Sequence, residues 1–474
     1  MNRRQFLKAA GAAIAAGSMA GCGEYNSLSE SRYSKKPNFV VIFIDDMGYA
    51  DIEPFGSKRS RTPHLSKLAD EGVKYTQFYN GWTRCSPSRA SLMTGCYAGR
   101  VGMGVGVCFP DKPKALNPRE YTMAEMFKTA GYTTGIFGKW HLGHLRGYLP
   151  PSHGFDEYWG IPYSNDMWPR YRKRNNYPPL PFIHNDEAVA IVDTGEDQSL
   201  MTRAFTDCAL SFIRENHQKP FFAYIPYSAV HAPRFALRDF RERVKPGGRR
   251  NYIAQIEEID AAVGEVIALL RELRIDRNTM VIFMSDNGGT GASEMHPLRG
   301  GKSEPVYEGH MRTPCLAWWP GTIPAGKVCD SIGVTVDLLP TFAALCGGEL
   351  SKNEIDGRDI SGLFLAPEDA RSPHEVVLYK NEGIRRGRWK LVCVADENGG
   401  SRELYDLDSD IGETKNLADK HPDVVNDLAG ELEKYRDMLS REKRPNAQMK
   451  PCGGLVTDEE ASKLPRLADW MKKR

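Results

Sequence analysis

The 474-residue chain has almost no net charge. Its 63 lysines and arginines stand against 61 aspartates and glutamates, a formal balance of +2. No field of one sign surrounds the molecule, so nucleic-acid binding has no compositional support, although local cationic pockets remain open to it. Long hydrophobic runs are also scarce. The apolar stretch from Ala9 to Ala20 is too short to anchor stably in a bilayer, and no other segment approaches the ~20 apolar residues a spanning helix needs. Close cysteine pairs are missing as well. The ten cysteines include no C-x-x-C, which excludes the usual zinc and dithiol redox spacings. What remains, 41% hydrophobic and 26% charged residues, describes an ordinary globular protein long enough for one large unit and a smaller one.

The N-terminus is an address rather than part of the fold. Asn2-Arg3-Arg4-Gln5-Phe6-Leu7-Lys8 and the small apolar run behind it resemble a twin-arginine export signal, the type that moves folded proteins. Met19-Ala20-Gly21-Cys22 resembles a lipobox, with Cys22 as the lipidated first residue of a periplasmic or cell-surface lipoprotein. The alternative is a plain signal peptide cleaved near Ala20. Residues 23 to 36, rich in serine and charge, read as a tether. Membrane contact is expected only through the lipid.

From Pro37 onward apolar strands alternate with helices. Asn38–Ile44 is apolar throughout, the look of a strand buried on both faces, and it ends in Asp45-Asp46. Helical spacing over 65–72 precedes the strand 73–79. A helix over 122–130 precedes the strand 132–137, which ends in Gly138-Lys139-Trp140-His141. A helix over 201–216 precedes the strand 220–225, followed by Ser228-Ala229-Val230-His231. A helix over 253–273 precedes the strand 280–284, which ends in Ser285-Asp286-Asn287. This alternation predicts an α/β fold with a large, mostly parallel sheet sandwiched by helices. In such sheets ligands bind beyond the carboxyl ends of the strands. Four strand ends releasing Asp45 and Asp46, Lys139 and His141, His231, and Asp286 and Asn287 therefore predict one site. Asp45, Asp46, Asp286 and the Asn287 amide oxygen are hard donors suited to Ca²⁺ or Mg²⁺ rather than zinc.

Cys85 stands at a predicted helix start, with Pro87 in the first turn and Arg89 one turn on. Three readings compete: a buried structural cysteine, a thiolate with lowered pKa at a helix N-terminus, and a third that comes from the whole motif. Cys85-Ser86-Pro87-Ser88-Arg89, continuing to Thr94-Gly95, resembles the C-x-P-S-R-x-x-x-x-T-G signature of the type I sulfatases of the alkaline phosphatase superfamily. The match extends residue by residue over most of 37–417. Leu298-Arg299-Gly300-Gly301-Lys302 and Tyr307-Glu308-Gly309 also follow the family, while His310 stands where a second glycine is usual and leaves the local backbone in question.

The resemblance implies that Cys85 is oxidised by a formylglycine-generating enzyme to formylglycine (3-oxoalanine), whose hydrate is the nucleophile. It implies one Ca²⁺ held by Asp45, Asp46, Cys85, Asp286 and Asn287. Arg89 would stabilise the hydrate, and Lys139 and His141 would bridge it and the sulfate. His231 and Lys302 would bind the sulfate and serve the leaving oxygen. One hydroxyl attacks sulfur, His231 protonates the departing alcohol, and His141 deprotonates the second hydroxyl to expel sulfate. The stretch 154–167 resembles the pocket-side loop of the arylsulfatase A and N-acetylgalactosamine-6-sulfatase branch and adds Asp166 as a substrate-binding residue. The basic and aromatic run 168–181 suits either an anionic sugar chain or a solvated loop.

The expected organisation is an export segment and tether (1–36), a catalytic domain (37–370) and a C-terminal subdomain with tail (371–474). The linker-like stretch 350–373 leads to antiparallel strands over 376–379, 384–394 and 403–407, then a helix over 422–439. The expected activity is hydrolysis of sulfate esters, of a sulfated polysaccharide, oligosaccharide or aryl sulfate. A phosphate or phosphonate ester hydrolase of the same superfamily and a non-catalytic glycan-binding lipoprotein are the alternatives.

Overall fold

The computed structural model describes residues 36–170, 177–302, 305–394, 400–450 and 453–473. Cys22 and Arg172, Lys173 and Arg174 of the basic run lie outside them. The strands in chain order are β1 (Asn38–Ile44), β2 (Val73–Tyr79), β3 (Lys114–Ala115), β4 (Thr133–Lys139), β5 (Glu157–Ile161), β6 (Pro181–His184), β7 (Glu187–Ile191), β8 (Phe221–Pro226), β9 (Thr279–Ser285), β10 (Arg312–Trp318), β11 (Lys327–Cys329) and β12 (Gly333–Val334). All but β3 form one sheet in the order β11-β2-β10-β9-β1-β8-β4-β5-β6-β7, with β12 beside β2. At its centre β9, β1, β8, β4 and β5 run parallel.

The apolar sequence of β1 follows from its place in the middle. Phe39, Val41 and Phe43 enter the hydrophobic core on one face, and Val40, Ile42 and Ile44 enter the core on the other. Period-two alternation thus serves two cores at once, and the one polar side chain of the strand, Asn38 at its start, is held by Thr279 Oγ1 at 3.2 Å. Helices Gly195–Asn216 and Arg250–Glu272 supply the second face; Cys85–Thr94, Met123–Thr129 and Leu338–Cys346 supply the first.

Three departures from the sequence expectation have local causes. The helix expected from Met201 begins at Gly195, because Thr194 and Asp197 form a capping box (Asp197 N to Thr194 Oγ1 3.2 Å, Thr194 N to Asp197 Oδ2 2.9 Å). Its polar first turn carries no apolar periodicity. β10, not anticipated, is antiparallel to both β9 and β2, and it takes Pro314 at a register shift between Thr313 and Cys315. The strand expected over 384–394 is a hairpin turning at Gly387, whose φ is 57°.

A second, antiparallel sheet comprises β13 (Val376–Tyr379), β14 (Gly383–Arg386), β15 (Trp389–Val394) and β16 (Ser401–Asp406), with helix Pro422–Arg441 against β14 and β15. Between the sheets, the stretch read as linker-like holds helix Ser361–Leu365, which buries Leu363 and Phe364. The tail then returns to the large sheet. β17 (Ala447–Gln448) pairs with β3, Ile191 N donates to Pro465 O at 2.9 Å, and helix Leu467–Met471 packs on Gly195–Asn216. Among the described residues no helix is long and apolar enough to cross a membrane.

Candidate active site

The carboxyl ends of β9, β1, β8 and β4 lie side by side, and the chain leaving them is stitched together. Asp286 N donates to Ile44 O (2.8 Å), Asp45 N to Ala229 O (3.1 Å) and Val230 N to Asp45 O (2.8 Å). The stitching explains why polar residues from distant sequence positions meet here. Asp46 and His141 take positive φ (62° and 61°), as does Arg84 before the cysteine helix (66°). Non-glycine residues adopt this region at a cost, and it gathers where a site dictates the backbone.

Cys85 is the first residue of helix Cys85–Thr94 and is 2% exposed. Its Sγ lies 3.1 Å from Asp45 Oδ1 and 3.2 Å from Lys302 Nζ. Burial, with Asp45 beside it, pushes the thiol well above the ordinary cysteine range despite the helix start and the two nearby lysines. The alternative of a low-pKa thiolate at Cys85 gains no support from these surroundings, because burial disfavours the charged form. Arg89, 1% exposed, spans the site. It donates to Lys139 O (2.9 Å) and Asp286 Oδ2 (2.8 Å) and lies 3.6 Å from Asp45 Oδ2.

The carboxylates and cations interlock. Lys139 Nζ bonds Asp45 Oδ2 and Ser164 Oγ (2.9 Å). Lys302 Nζ bonds Asp46 Oδ1 at 2.6 Å, and Asn287 Nδ2 donates to the same oxygen at 2.8 Å. Burial would raise the Asp45 pKa, but Lys139, His231, Arg89 and Lys302 together hold it well below the usual range. Asp286 goes the other way: burial and the Asp45 charge push it up to about 7 against the pull of Arg89.

The two histidines differ. His141 is buried, and its Nε2 is 3.1 Å from Cys108 O while Nδ1 has no partner. Burial, then Lys139 and Arg89, hold its pKa well below the ordinary value, so it is neutral. His231 is partly exposed. Its Nδ1 is 2.6 Å from Ala232 O, and Nε2 faces Asp46 Oδ2 at 3.7 Å.

Asp45, Asp46, Cys85 and His231 each present a ligand atom within 4.8 Å of the others. Asn287 Oδ1 is buried without a hydrogen-bond partner among the described residues. A buried amide oxygen lacking a donor forfeits about 1–3 kcal/mol, which a hard cation among two carboxylates would supply, so the donor set fits one such ion. Asp286 turns its carboxylate to Arg89 and to the Asp46 N–H (3.2 Å). Asp166, two residues past Ser164, has its Oδ1 buried and without a partner among the described residues. In the adjacent basic run, Arg170 is engaged with Asp193 on the surface (2.9 and 2.6 Å).

The backbone at His310 is ordinary helix (Glu308–Met311), so the doubt raised by the missing glycine is removed. The glycine that matters is Gly309. A Cβ there would lie 2.7 Å from both Arg299 O and Gly300 O, the turn delivering Lys302. Gly309→Ala is expected to lower kcat/KM by about tenfold, since a displacement near 1 Å at a positioned group costs one to two orders of magnitude. Thermal unfolding measured alongside should show a smaller loss than the kinetics.

Sequence reasoning missed three participants. Ser164 holds Lys139 and lay within the pocket-side loop, a usable signal. Ser285 Oγ accepts from Met47 N (3.0 Å) and donates to Asn287 O (2.9 Å); its place next to Asp286 was the hint. Cys108, whose carbonyl orients His141, had no signal at all.

Comparison with known proteins agrees with this geometry. The Sulfatase family model matches residues 37–348, the model of the C-terminal part of N-sulphoglucosamine sulphohydrolase matches 303–438, and the twin-arginine signal model matches 1–20. The chain is 34% identical to arylsulfatase A of Homo sapiens over 435 residues, 81% of this chain and 84% of that one. It is 37% identical to N-acetylgalactosamine-6-sulfatase of Canis lupus familiaris over 354 residues, 69% and 66% of the two chains. The solved structure of Ps i-CgsB in complex with k-i-k-neocarrahexaose superposes with a TM-score of 0.75 at 28% identity, covering 90% of this chain and 96% of that one. The chain carries a twin-arginine export signal, and it belongs to the type I sulfatase family near the arylsulfatase A and N-acetylgalactosamine-6-sulfatase branch, as a hydrolase of sulfuric esters.

Proposed function

We propose that the chain removes sulfate from sulfated saccharides outside the cytoplasm. Its nucleophile is Cys85 after oxidation to formylglycine by a formylglycine-generating enzyme, and it works with one Ca²⁺. The observation that carries this reading is the meeting of Cys85 Sγ with Asp45 and Lys302 at 3.1 and 3.2 Å at the end of four parallel strands. The saccharide class rests on the names of its relatives, N-acetylgalactosamine-6-sulfatase and a protein bound to neocarrahexaose.

Asp45, Asp46, Asp286, Asn287 and residue 85 would hold the ion, which supplies polarisation of a sulfate oxygen and stabilisation of a nearby alkoxide. The hydrated aldehyde supplies two hydroxyls on one carbon, so the second can release what the first has captured, a route a thiol or serine lacks. The side chains do the rest. Arg89, fixed by Asp286 and Lys139 O, orients residue 85. The ammonium groups of Lys139 and Lys302 receive sulfate oxygens. His231 keeps Nδ1 on Ala232 O and protonates the leaving alcohol from Nε2. His141 keeps Nε2 on Cys108 O, and its neutral Nδ1 takes the proton of the second hydroxyl. Asp166 Oδ1 accepts a sugar hydroxyl. Lipidation at Cys22 would hold the enzyme at a membrane surface.

The test is sulfate release from a panel of sulfated galactose, fucose, glucosamine, N-acetylglucosamine and N-acetylgalactosamine, each as monosaccharide and within an oligosaccharide. The phenyl sulfate and phenyl phosphate of one phenol are run beside it. Faster phosphate than sulfate hydrolysis would overturn the reading. Dialysis against a calcium chelator is expected to abolish turnover and lower the unfolding temperature. Re-addition of Ca²⁺ at 100 times its Kd should restore about 2.7 kcal/mol of stability, measured by thermal melts with and without the ion.

A further inference from the structure

The tail after the Pro422–Arg441 helix had no legible role, yet it is tied to the neighbourhood of His141. β17 pairs with β3, and Met449 N donates to Pro113 O at 2.6 Å. Gly453 O then meets His144 Nε2 at 2.7 Å. Gly454 sits so close to Pro178 that a Cβ there would lie 2.4 Å from the proline Cβ. These contacts leave a cleft of about 500 Å³, walled on one side by Asp111 and Leu145, on another by Tyr177 and Pro178, and on the third by the tail from Gly453 to Asp458.

Two short runs of chain tie the cleft wall to the active site. His141 Nε2 is held by Cys108 O, and Pro110, two residues on and also in the wall, lies within about 7 Å along the backbone. In the other run, residues 141 to 145 carry the catalytic-site histidine at one end and the cleft wall, Leu145, at the other. An aromatic ring beside prolines offers the flat apolar surface on which the C–H face of a sugar ring lies, and carboxylates are strong acceptors for its hydroxyls. Among the described residues the carboxylates lining the cleft are Asp111 and Asp458, and Asp111 is paired with Lys112 at 3.2 Å. Both carboxylates can accept from sugar hydroxyls.

We propose that this cleft is a subsite for a sugar unit next to the sulfated one, with the C-terminal tail as its outer wall and a determinant of chain-length specificity. This rests on the saccharide reading above. The test compares Tyr177→Ala, Asp111→Asn and Asp458→Asn with the parent chain. The substrates are phenyl sulfate, the best monosaccharide sulfate of the panel, and the oligosaccharide carrying that same unit beside unsulfated sugars. The parent should prefer the oligosaccharide over the monosaccharide by tenfold or more in kcat/KM. Each variant should lose most of that preference through KM, while phenyl sulfate turnover stays within twofold. Equal kcat/KM for the two saccharides in the parent, or variants that change all three substrates alike or none, would overturn the subsite. Hydrolysis of phenyl sulfate with no release from any saccharide would instead overturn the saccharide reading itself. Thermal melts of each variant separate lost binding from lost fold.

Discussion

Cys85→Ala is expected to reduce sulfate release by about four orders of magnitude or more, the scale on which removal of a catalytic nucleophile acts, while leaving the fold within about 1 kcal/mol of the parent. The separation follows from the contacts. Losing the thiol leaves Lys302 on Asp46 and Asp45 on Lys139, so no buried charge loses its partner. The space opened is one sulfur atom, far less than a truncated leucine leaves. Sulfate release and thermal melts on the same preparation check both halves, and near-normal turnover would refute the mechanism. Cys85→Ser sharpens the result, because a serine hydroxyl occupies the same helix start but lacks the second hydroxyl needed for release. A serine variant that captures one equivalent of sulfate and stalls supports the two-hydroxyl logic; one that turns over freely contradicts it. Mass analysis of the peptide spanning residue 85 reports the oxidation independently.

Glu308→Ala should produce the largest loss of stability of any single change outside the site, about 3–5 kcal/mol, the cost of breaking a buried ion pair from one side. Glu308 is fully buried where the two sheets meet. One oxygen accepts from Tyr79 (2.7 Å) and Arg312 (3.2 Å) of the large sheet. The other accepts from Tyr379 (2.5 Å) and Lys390 (3.1 Å) of the small one. Burial would raise its pKa, but Lys390, Arg312 and Arg385 hold it far below the usual carboxylate range. The sign follows directly: a depressed folded pKa gives stability that is present in full above the unfolded value and is lost only as pH falls toward the folded one. The contribution is therefore intact at neutral pH and fades only in strong acid. Denaturant unfolding of Glu308→Ala and Glu308→Gln at neutral pH checks this. Glutamine keeps the volume and one acceptor oxygen, but it loses the charge and the second acceptor, so it should fall between parent and alanine. A loss below about 1 kcal/mol for alanine would mean the junction is held by its apolar contacts instead.

Much of the centre of the fold was legible because it obeys simple periods. The central positions of β1, β8 and β9 are apolar since both faces are covered, and the chain that leaves β1 and β9 is polar because it enters the site. Position along a parallel strand thus predicted position in space, and it brought Asp45, Asp46, Lys139, His231 and Asp286 into one neighbourhood without any knowledge of tertiary contacts. The strands flanking this parallel centre were less legible. β10 carries a proline, and β6 and β7 are four and five residues long, with pairings set by partners rather than by pattern. In the tail the helix Asp458–Lys463 is readable from sequence, but β17 is not: it is two residues long and owes its conformation to β3. Within the site, sequence reasoning found side chains that act on substrate and missed those that hold them. A carbonyl such as Cys108 O has the same chemistry at every residue and leaves no trace in composition.

The burial of Cys85 also sets an order of events. At 2% exposure, with Lys302 over its sulfur and Arg89 locking its helix to two strands, the residue is closed to a second enzyme once the domain has formed. On the proposed chemistry its oxidation must therefore come first, while the segment around 85 is still an extended chain. The twin-arginine signal commits the protein to cross the membrane already folded. Maturation is then a cytoplasmic, co-synthetic event with a deadline set by folding, and a chain that folds before it is modified is exported inactive with no later chance of repair.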